Sequence, residues 1–168
     1  METSTGARTV SIFQQVTVEQ KSPFDIDKLA DKFKHRNTDW SIPEAFLGVL
    51  YSAANADGSF DNKEVDIIKG VVSRSRAMTS VAPADLARAD ASVNEKIKTR
   101  PNALQEACST LPPDMCLPMF AHCVDIILAD GQLLKPEAEF LQNLAKLLDI
   151  DEANARRVME VLLLKAQY

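Results

Sequence analysis

The sequence predicts an all-α protein: a compact bundle of about seven helices, built from two helix-corner-helix repeats in a pseudo-two-fold relation. Three observations carry this prediction. Apolar residues recur at the i, i+3, i+4, i+7 spacing of a helix face in one segment after another, with no convincing strand alternation. Ser, Asp and Pro stand where helices begin, twice with Glu three residues further on. An acidic Asp-Gly corner occurs as Asn55-Ala56-Asp57-Gly58-Ser59-Phe60-Asp61-Asn62-Lys63-Glu64 and again, diverged, as Leu128-Ala129-Asp130-Gly131-Gln132-Leu133-Leu134-Lys135-Pro136-Glu137.

Residues 1–21 mix Thr, Ser and Gln with isolated apolar positions. They are expected to be an N-terminal arm packed on the helical body or an extension that docks on a partner, and residues 22–168 read as one helical domain. Ser22-Pro23 with Asp25 starts a helix whose stripe is Ile26, Leu29, Ala30 and Phe33, ending near His35. Ser41 and Glu44 form a capping box for the next, with Trp40 as a staple over it. Phe46, Val49, Leu50 and Ala53 make its inward face, and Asp57-Gly58 ends it.

Phe60 is expected to be buried under the corner. Asp61 and Glu64 form a second capping box, followed by an inward face of Val65, Ile68, Val71 and Val72 and by Arg74 and Arg76 at the negative helix end. Pro83 to Arg100 carries a weaker stripe of Leu86, Val93 and Ile97, and Pro101 restarts a short helix bearing Leu104, Ala107 and Leu111. After Pro112-Pro113-Asp114 comes a helix defined by Leu117, Phe120, Val124, Ile127 and Leu128, with Pro118 expected in its first turn. Pro136 opens the next, with Phe140, Leu141, Leu144 and Leu148 inward. Asp151 caps the last, whose inward residues are Ala155, Val158, Met159 and Leu162.

Asp57 and Asp130 stand 73 positions apart, and the same offset pairs Gly58 with Gly131, Phe60 with Leu133, Glu64 with Glu137, and Ile68 with Leu141. The repeat units run from about 42 to 79 and from 115 to 149. Each is too small to bury its apolar face alone, so the two are expected to pack together. Asp61 has Leu134 opposite it, so the second corner loses a cap and an oxygen donor.

Composition narrows the function. At 46% hydrophobic and 26% charged, the 168 residues are ordinary for a globular protein. A net charge of -5 argues against a nucleic-acid partner, which needs clustered Lys and Arg. The most apolar run, Leu117 to Leu128, is interrupted by Pro118, His122 and Asp125, short of the ~18 residues a membrane span requires. Three cysteines and a start lacking a secretory pattern lead to the expectation of a cytoplasmic protein.

The chemistry-bearing residues are those of the corners. Asp57, Asp61 and Glu64 do not fit a calcium-binding EF-hand, because Gly58 follows the first Asp directly and Glu64 comes too early. Two readings stand: the acids are turn and cap residues, or Asp57, Asp61 and Glu64, joined by Asp130 and Glu137, hold a hard divalent cation, calcium above all. Cys116, His122 and Cys123 read as core residues rather than a zinc site. Neither His35 nor His122 follows a Glu by three residues, which excludes a di-iron carboxylate bundle. No nucleophile motif or phosphate loop supports a hydrolase or a nucleotide-binding protein.

Both Ala-Asp-Gly corners with their acidic helix starts, together with Ala145-Lys146-Leu147-Leu148-Asp149-Ile150-Asp151, resemble the bacterial tellurite-resistance B-like family from about Ile42 to Lys165. The resemblance implies a seven-helix acidic protein of chemical-stress resistance, with corner acids as candidate metal ligands. It also implies partners among the proteins of the same resistance system, some membrane-bound, which would hold the chain peripherally at the inner membrane. The expected function is therefore a non-enzymatic cation-binding or scaffolding module. The rivals are a metal-independent adaptor and, behind it, an enzyme of helical fold, which a deep polar pocket with a perturbed acid or base would favour.

Overall fold

Ser41 starts a helix as its sequence context predicts. Its hydroxyl accepts from the Glu44 amide at 3.3 Å, while Glu44 Oε2 accepts from the Ser41 N–H at 2.6 Å. The computed structural model describes residues 38–168, and every regular element among them is helical. The order is α1 (Ile42–Ala54), α2 (Asn62–Arg74), α3 (Pro83–Thr99), α4 (Ala103–Thr110), α5 (Pro113–Ile127), a 3-10 turn (Leu128–Asp130), α6 (Lys135–Leu147) and α7 (Glu152–Ala166). The expected arm, residues 1–21, and the expected helix from Ser22 to His35 lie outside the described residues.

Helix α1 is apolar almost all round, and such a helix is stable only when covered on every side. Ala45, Phe46, Leu47, Gly48, Val49, Leu50, Ala53 and Ala54 are all buried. Helices α3, α4 and α5 cover it most extensively, and α2 packs against it less. Helix α5 carries the second large share of the core, with Met119, Phe120, Cys123, Val124, Ile126 and Ile127 buried. The surrounding helices contribute narrower stripes: Ile68 and Val71 from α2, Ala89 and Val93 from α3, Leu141 and Leu144 from α6. In α7, Ala155, Val158, Met159 and Leu162 pack against the core but are only half-buried, because this helix lies outside α5 and the 3-10 turn.

Pro118 does not fall in a first turn. Pro113 occupies the first position of α5, so the helix begins earlier and Pro118 lies inside it. A proline there has no N–H for the carbonyl of Asp114, four residues before.

Trp40 closes the start of α1, and its indole lies on Gly48. A Cβ built on Gly48 would come within 2.8 Å of the ring, so a side chain at this position would collide with it. The indole Nε1 donates to Glu106 Oε2 of α4 at 2.7 Å. Lys96 of α3 lies 4.8 Å from the ring centroid, a cation-π distance, and donates to the Asp39 carbonyl at 2.8 Å and to Glu44 Oε1 at 3.1 Å. Its buried ammonium is thus paired and hydrogen-bonded, the condition under which a buried charge is tolerated. Arg100 binds both carboxylate oxygens of Asp39 at 2.7 Å and reaches Glu106 at 3.0 Å. One indole and its ionic collar therefore tie α1 to α3 and α4.

Two measurements test this closure. Gly48→Ala gains up to about 1 kcal/mol of helix propensity but overpacks the indole at about 1–3 kcal/mol, so urea unfolding should show a net loss of roughly 1 kcal/mol; unchanged or higher stability would mean that Trp40 moves freely. The second concerns acid. The Arg100 guanidinium holds Asp39 at about 2, and the Trp40 indole, followed by Arg100, holds Glu106 below its usual range. For Glu44, burial alone would raise the carboxyl, but the Ser41 amide and the neighbouring Ser92, Lys96 and Ser41 side chains bring it below its ordinary value. Folded-state values below the unfolded ones mean stabilisation that is complete above the ordinary 3.8 and 4.5 and is lost as pH falls towards 2. The melting temperature should therefore drop between pH 5 and pH 2.5, and less steeply in Trp40→Phe, which lacks the donor to Glu106.

Candidate functional site: the paired acidic corners

The chain leaves α1 through Asp57-Gly58, and the local chemistry accounts for the turn. Gly58 adopts φ +82°, the left-handed region that glycine enters without steric cost. Asp57 Oδ1 accepts from the Ser59 N–H at 2.8 Å and from its hydroxyl at 2.8 Å, an Asx-type turn. These Ser59 bonds, the backbone one foremost, lower the Asp57 carboxyl below its usual range. Asp61 then caps α2: Oδ1 accepts from the Lys63 and Glu64 amides at 2.7 and 3.0 Å, and Glu64 Oε2 accepts from the Asp61 N–H at 2.8 Å. The expected capping box is complete.

The second corner repeats the first with one loss. Gly131 adopts φ +78°, Asp130 Oδ1 accepts from the Gln132 N–H at 3.0 Å, and Glu137 Oε2 accepts from the Leu134 N–H at 2.6 Å. Leu134, in the cap position, offers no side-chain acceptor, so only the backward half of the box is present.

All five predicted acids thus accept a backbone amide. Glu64 is also pushed above the usual carboxylate range, by burial first and then, against the bond from the Asp61 amide, by the charges of Asp61, Asp57 and Glu137. That last influence brings the start of α6 within electrostatic reach of the start of α2, so Asp57, Asp61, Glu64 and Glu137 share one negative field. Asp130 remains with its own turn. Carboxylate oxygens suit hard divalent cations, but among the described residues no three His, Cys, Asp or Glu side chains form a group able to hold a metal ion. The corner acids therefore do not form a ready-made cage.

Phe60 corrects the expectation of burial. It stands one residue before the cap of α2, outside both flanking helices, and is 49% exposed. Its ring meets Tyr51 edge-on, with centroids 6.1 Å apart, and Tyr51 in turn donates its hydroxyl to Asp90 of α3. The matching Leu133 is 37% exposed and Leu134 43%. Each corner thus sets an apolar side chain beside its acids. Helical periodicity does not reach these positions; the signal lay in the repeat, which keeps an apolar residue at both.

The cysteines belong to the interior. Cys108 and Cys123 are buried and Cys116 is half-buried. Burial pushes the Cys108 thiol up to about 12 and raises Cys123 as well, which leaves both as neutral, poorly nucleophilic thiols.

The unequal caps make a measurable pair. Asp61→Ala should cost about 1 kcal/mol, the usual loss on removing a helix cap, whereas Leu134→Ser should gain about 0.5–1 kcal/mol by supplying the missing acceptor. Urea unfolding of both variants decides it, and a destabilised Leu134→Ser would show that the leucine packs more than its exposure indicates.

Residues 44–160 match the family model described as Tellurite resistance protein TerB. No curated protein and no solved structure matches the chain. The matched span opens inside the Ser41-capped helix α1, takes in both Asp-Gly corners and ends inside α7, and with that the chain belongs to the TerB tellurite-resistance family.

Proposed function

We propose that this TerB-family protein works without catalysing a reaction, as a cytoplasmic interaction module of a stress-resistance system, and that its working surface is the pair of corners. The observation that carries the reading is the exposure of Phe60, Leu133 and Leu134 beside the corner acids. Exposed aromatic and aliphatic side chains supply the anchors of an interface, and a surrounding rim of charge supplies steering and selectivity. The partner that fits is a protein segment carrying an apolar residue flanked by Lys or Arg. Other members of a resistance system are such candidates, and a membrane-bound one would bring the chain to the inner membrane. Among the described residues no helix is long and apolar enough to cross a membrane.

A second reading has its own support. The crowding that raises Glu64 would be relieved by a divalent cation, calcium first among them, drawn to Asp57, Asp61, Glu64 and Glu137, with Asp130 at the edge. Because each carboxylate already holds an amide, such binding competes with the turns and is weak, on the order of millimolar.

Affinity capture from tellurite-stressed cells with the wild-type chain and with Phe60→Ser/Leu133→Ser separates the readings. The adaptor reading expects partners that the wild type retains without added metal, that high salt releases and that the double variant loses. The same partners on both baits would sink it. Calorimetric titration of the metal-free protein with calcium, magnesium and zinc tests the cation: saturable binding at about millimolar or tighter that Asp57→Ala and Glu64→Gln abolish would establish the second reading, and its absence would remove it.

A further inference from the structure

Helices α2, α5 and α7 enclose an open pocket of about 650 Å³ that is unlike the corners in charge. It lies at the C-terminal end of α2, opposite the end that Asp61 caps. Ala77, Met115 and Pro118 expose its apolar surface, with Phe46, Val71 and Met119 buried beneath, and its polar rim holds Arg74, Arg76 and Lys165 against Asp114 and Asp125. In a chain of net charge -5 this is a local concentration of cations.

The cations are not equally engaged. Lys165 donates to both oxygens of Asp125, at 2.8 and 3.0 Å. Arg74 gives its Nε to the Gly70 carbonyl at 3.0 Å, which leaves its two terminal nitrogens. The Arg76 carbonyl accepts from the Thr79 hydroxyl at 3.2 Å, but its guanidinium has no hydrogen bond or ion pair among the described residues. Between the two arginines Ser75 is extended, with φ -71° and ψ 123°, ending α2. Deeper in the pocket, His122 stands edge-on to Phe46 with ring centroids 6.2 Å apart. Burial first, and the Arg74 and Lys165 charges with it, outweigh Asp125 and keep the imidazole neutral to lower pH than usual. It therefore adds a neutral hydrogen-bonding group between the cations and the apolar floor.

Volume and lining fit a small molecule rather than a peptide, since ligand pockets of about 300–1,000 Å³ combine an apolar lining with a few polar groups. A guanidinium fork matches the paired oxygens of a carboxylate or a phosphate. We propose that this pocket binds a small amphiphilic oxyanion, a carboxylate or phosphate head on an apolar body. The head pairs with Arg74 and Arg76, and the body lies on Ala77, Met115 and Pro118. The site does not depend on the corners or on their partner.

The full-length protein is titrated with octanoate, octyl phosphate and 1-octanol, each below its aggregation threshold, and the Met115 and Met119 methyl and His122 ring signals are followed by NMR. Octanoate or octyl phosphate should shift these signals saturably, and whichever binds more tightly names the head group. Octanol should bind about tenfold more weakly, and Arg74→Gln/Arg76→Gln should bring the anion to the level of octanol, about threefold for each exposed arginine. The two arginines lie on the surface, so the variant should melt with the wild type, and the comparison is made after that check. Equal binding of octanol, unchanged affinity in the double variant, shifts confined to other residues, or no binding of either anion would each overturn the proposal.

Discussion

The structure depends on the burial of α1, complete from Ala45 to Leu50 and again at Ala53 and Ala54. A helix apolar almost all round has to be surrounded, and the order of the other elements follows from the need to cover it: α3 and α4 on one part of its circumference, α5 on another, α2 leaving from its far end. Gly48 is the point of closest approach, where the absent side chain admits the Trp40 ring. Around that ring the polar groups are matched, with Lys96 on its face, Glu106 on its nitrogen and Arg100 joining Glu106 to Asp39. A buried ammonium left without these partners would be strongly destabilising. The collar therefore permits three helices to meet at an apolar centre without leaving a charge unpaired.

The corners follow from the same requirement. Each helix leaving the core has to reverse direction in a few residues, and Asp-Gly does so with one left-handed glycine and one carboxylate on the amide two residues beyond. Asp61, Glu64 and Glu137 are then explained as helix caps. What punctuation leaves unexplained is the shared negative field at Glu64 and the apolar residues displayed at both corners. These two features carry the functional reading, and they are surface properties rather than properties of the turns.

Two surfaces of opposite character thus lie at the two ends of α2. Its start is acidic and apolar and belongs to the corners, whereas its end carries Arg74 and Arg76 above a pocket shared with α5 and α7. The helix dipole has the matching sense, since carboxylates are favoured at the positive start and guanidinium groups at the negative end. A single helix thereby places acidic and basic side chains at its opposite ends.

Much of this was determined by the sequence alone. The apolar stripes located α1 to α7, because side chains three and four residues apart share a face whatever the helix packs against. Ser41, Asp61 and Asp151 marked their starts, because a cap bonds to amides within its own turn. The duplicated corner identified the family. Only the tertiary structure decided the rest, and in each case the reason is a contact between residues far apart in the chain. Trp40 reads as a local staple until Glu106 and Lys96 reach it from 66 and 56 positions away. Phe60 could not be placed by periodicity, because corner residues lie on no helix face. Pro118 was misplaced because Pro113, five residues earlier, competed for the same helix start. The five acids were visible as letters from the outset, but the field that Asp57, Asp61 and Glu137 exert on Glu64 exists only because folding brings Glu137 within electrostatic reach.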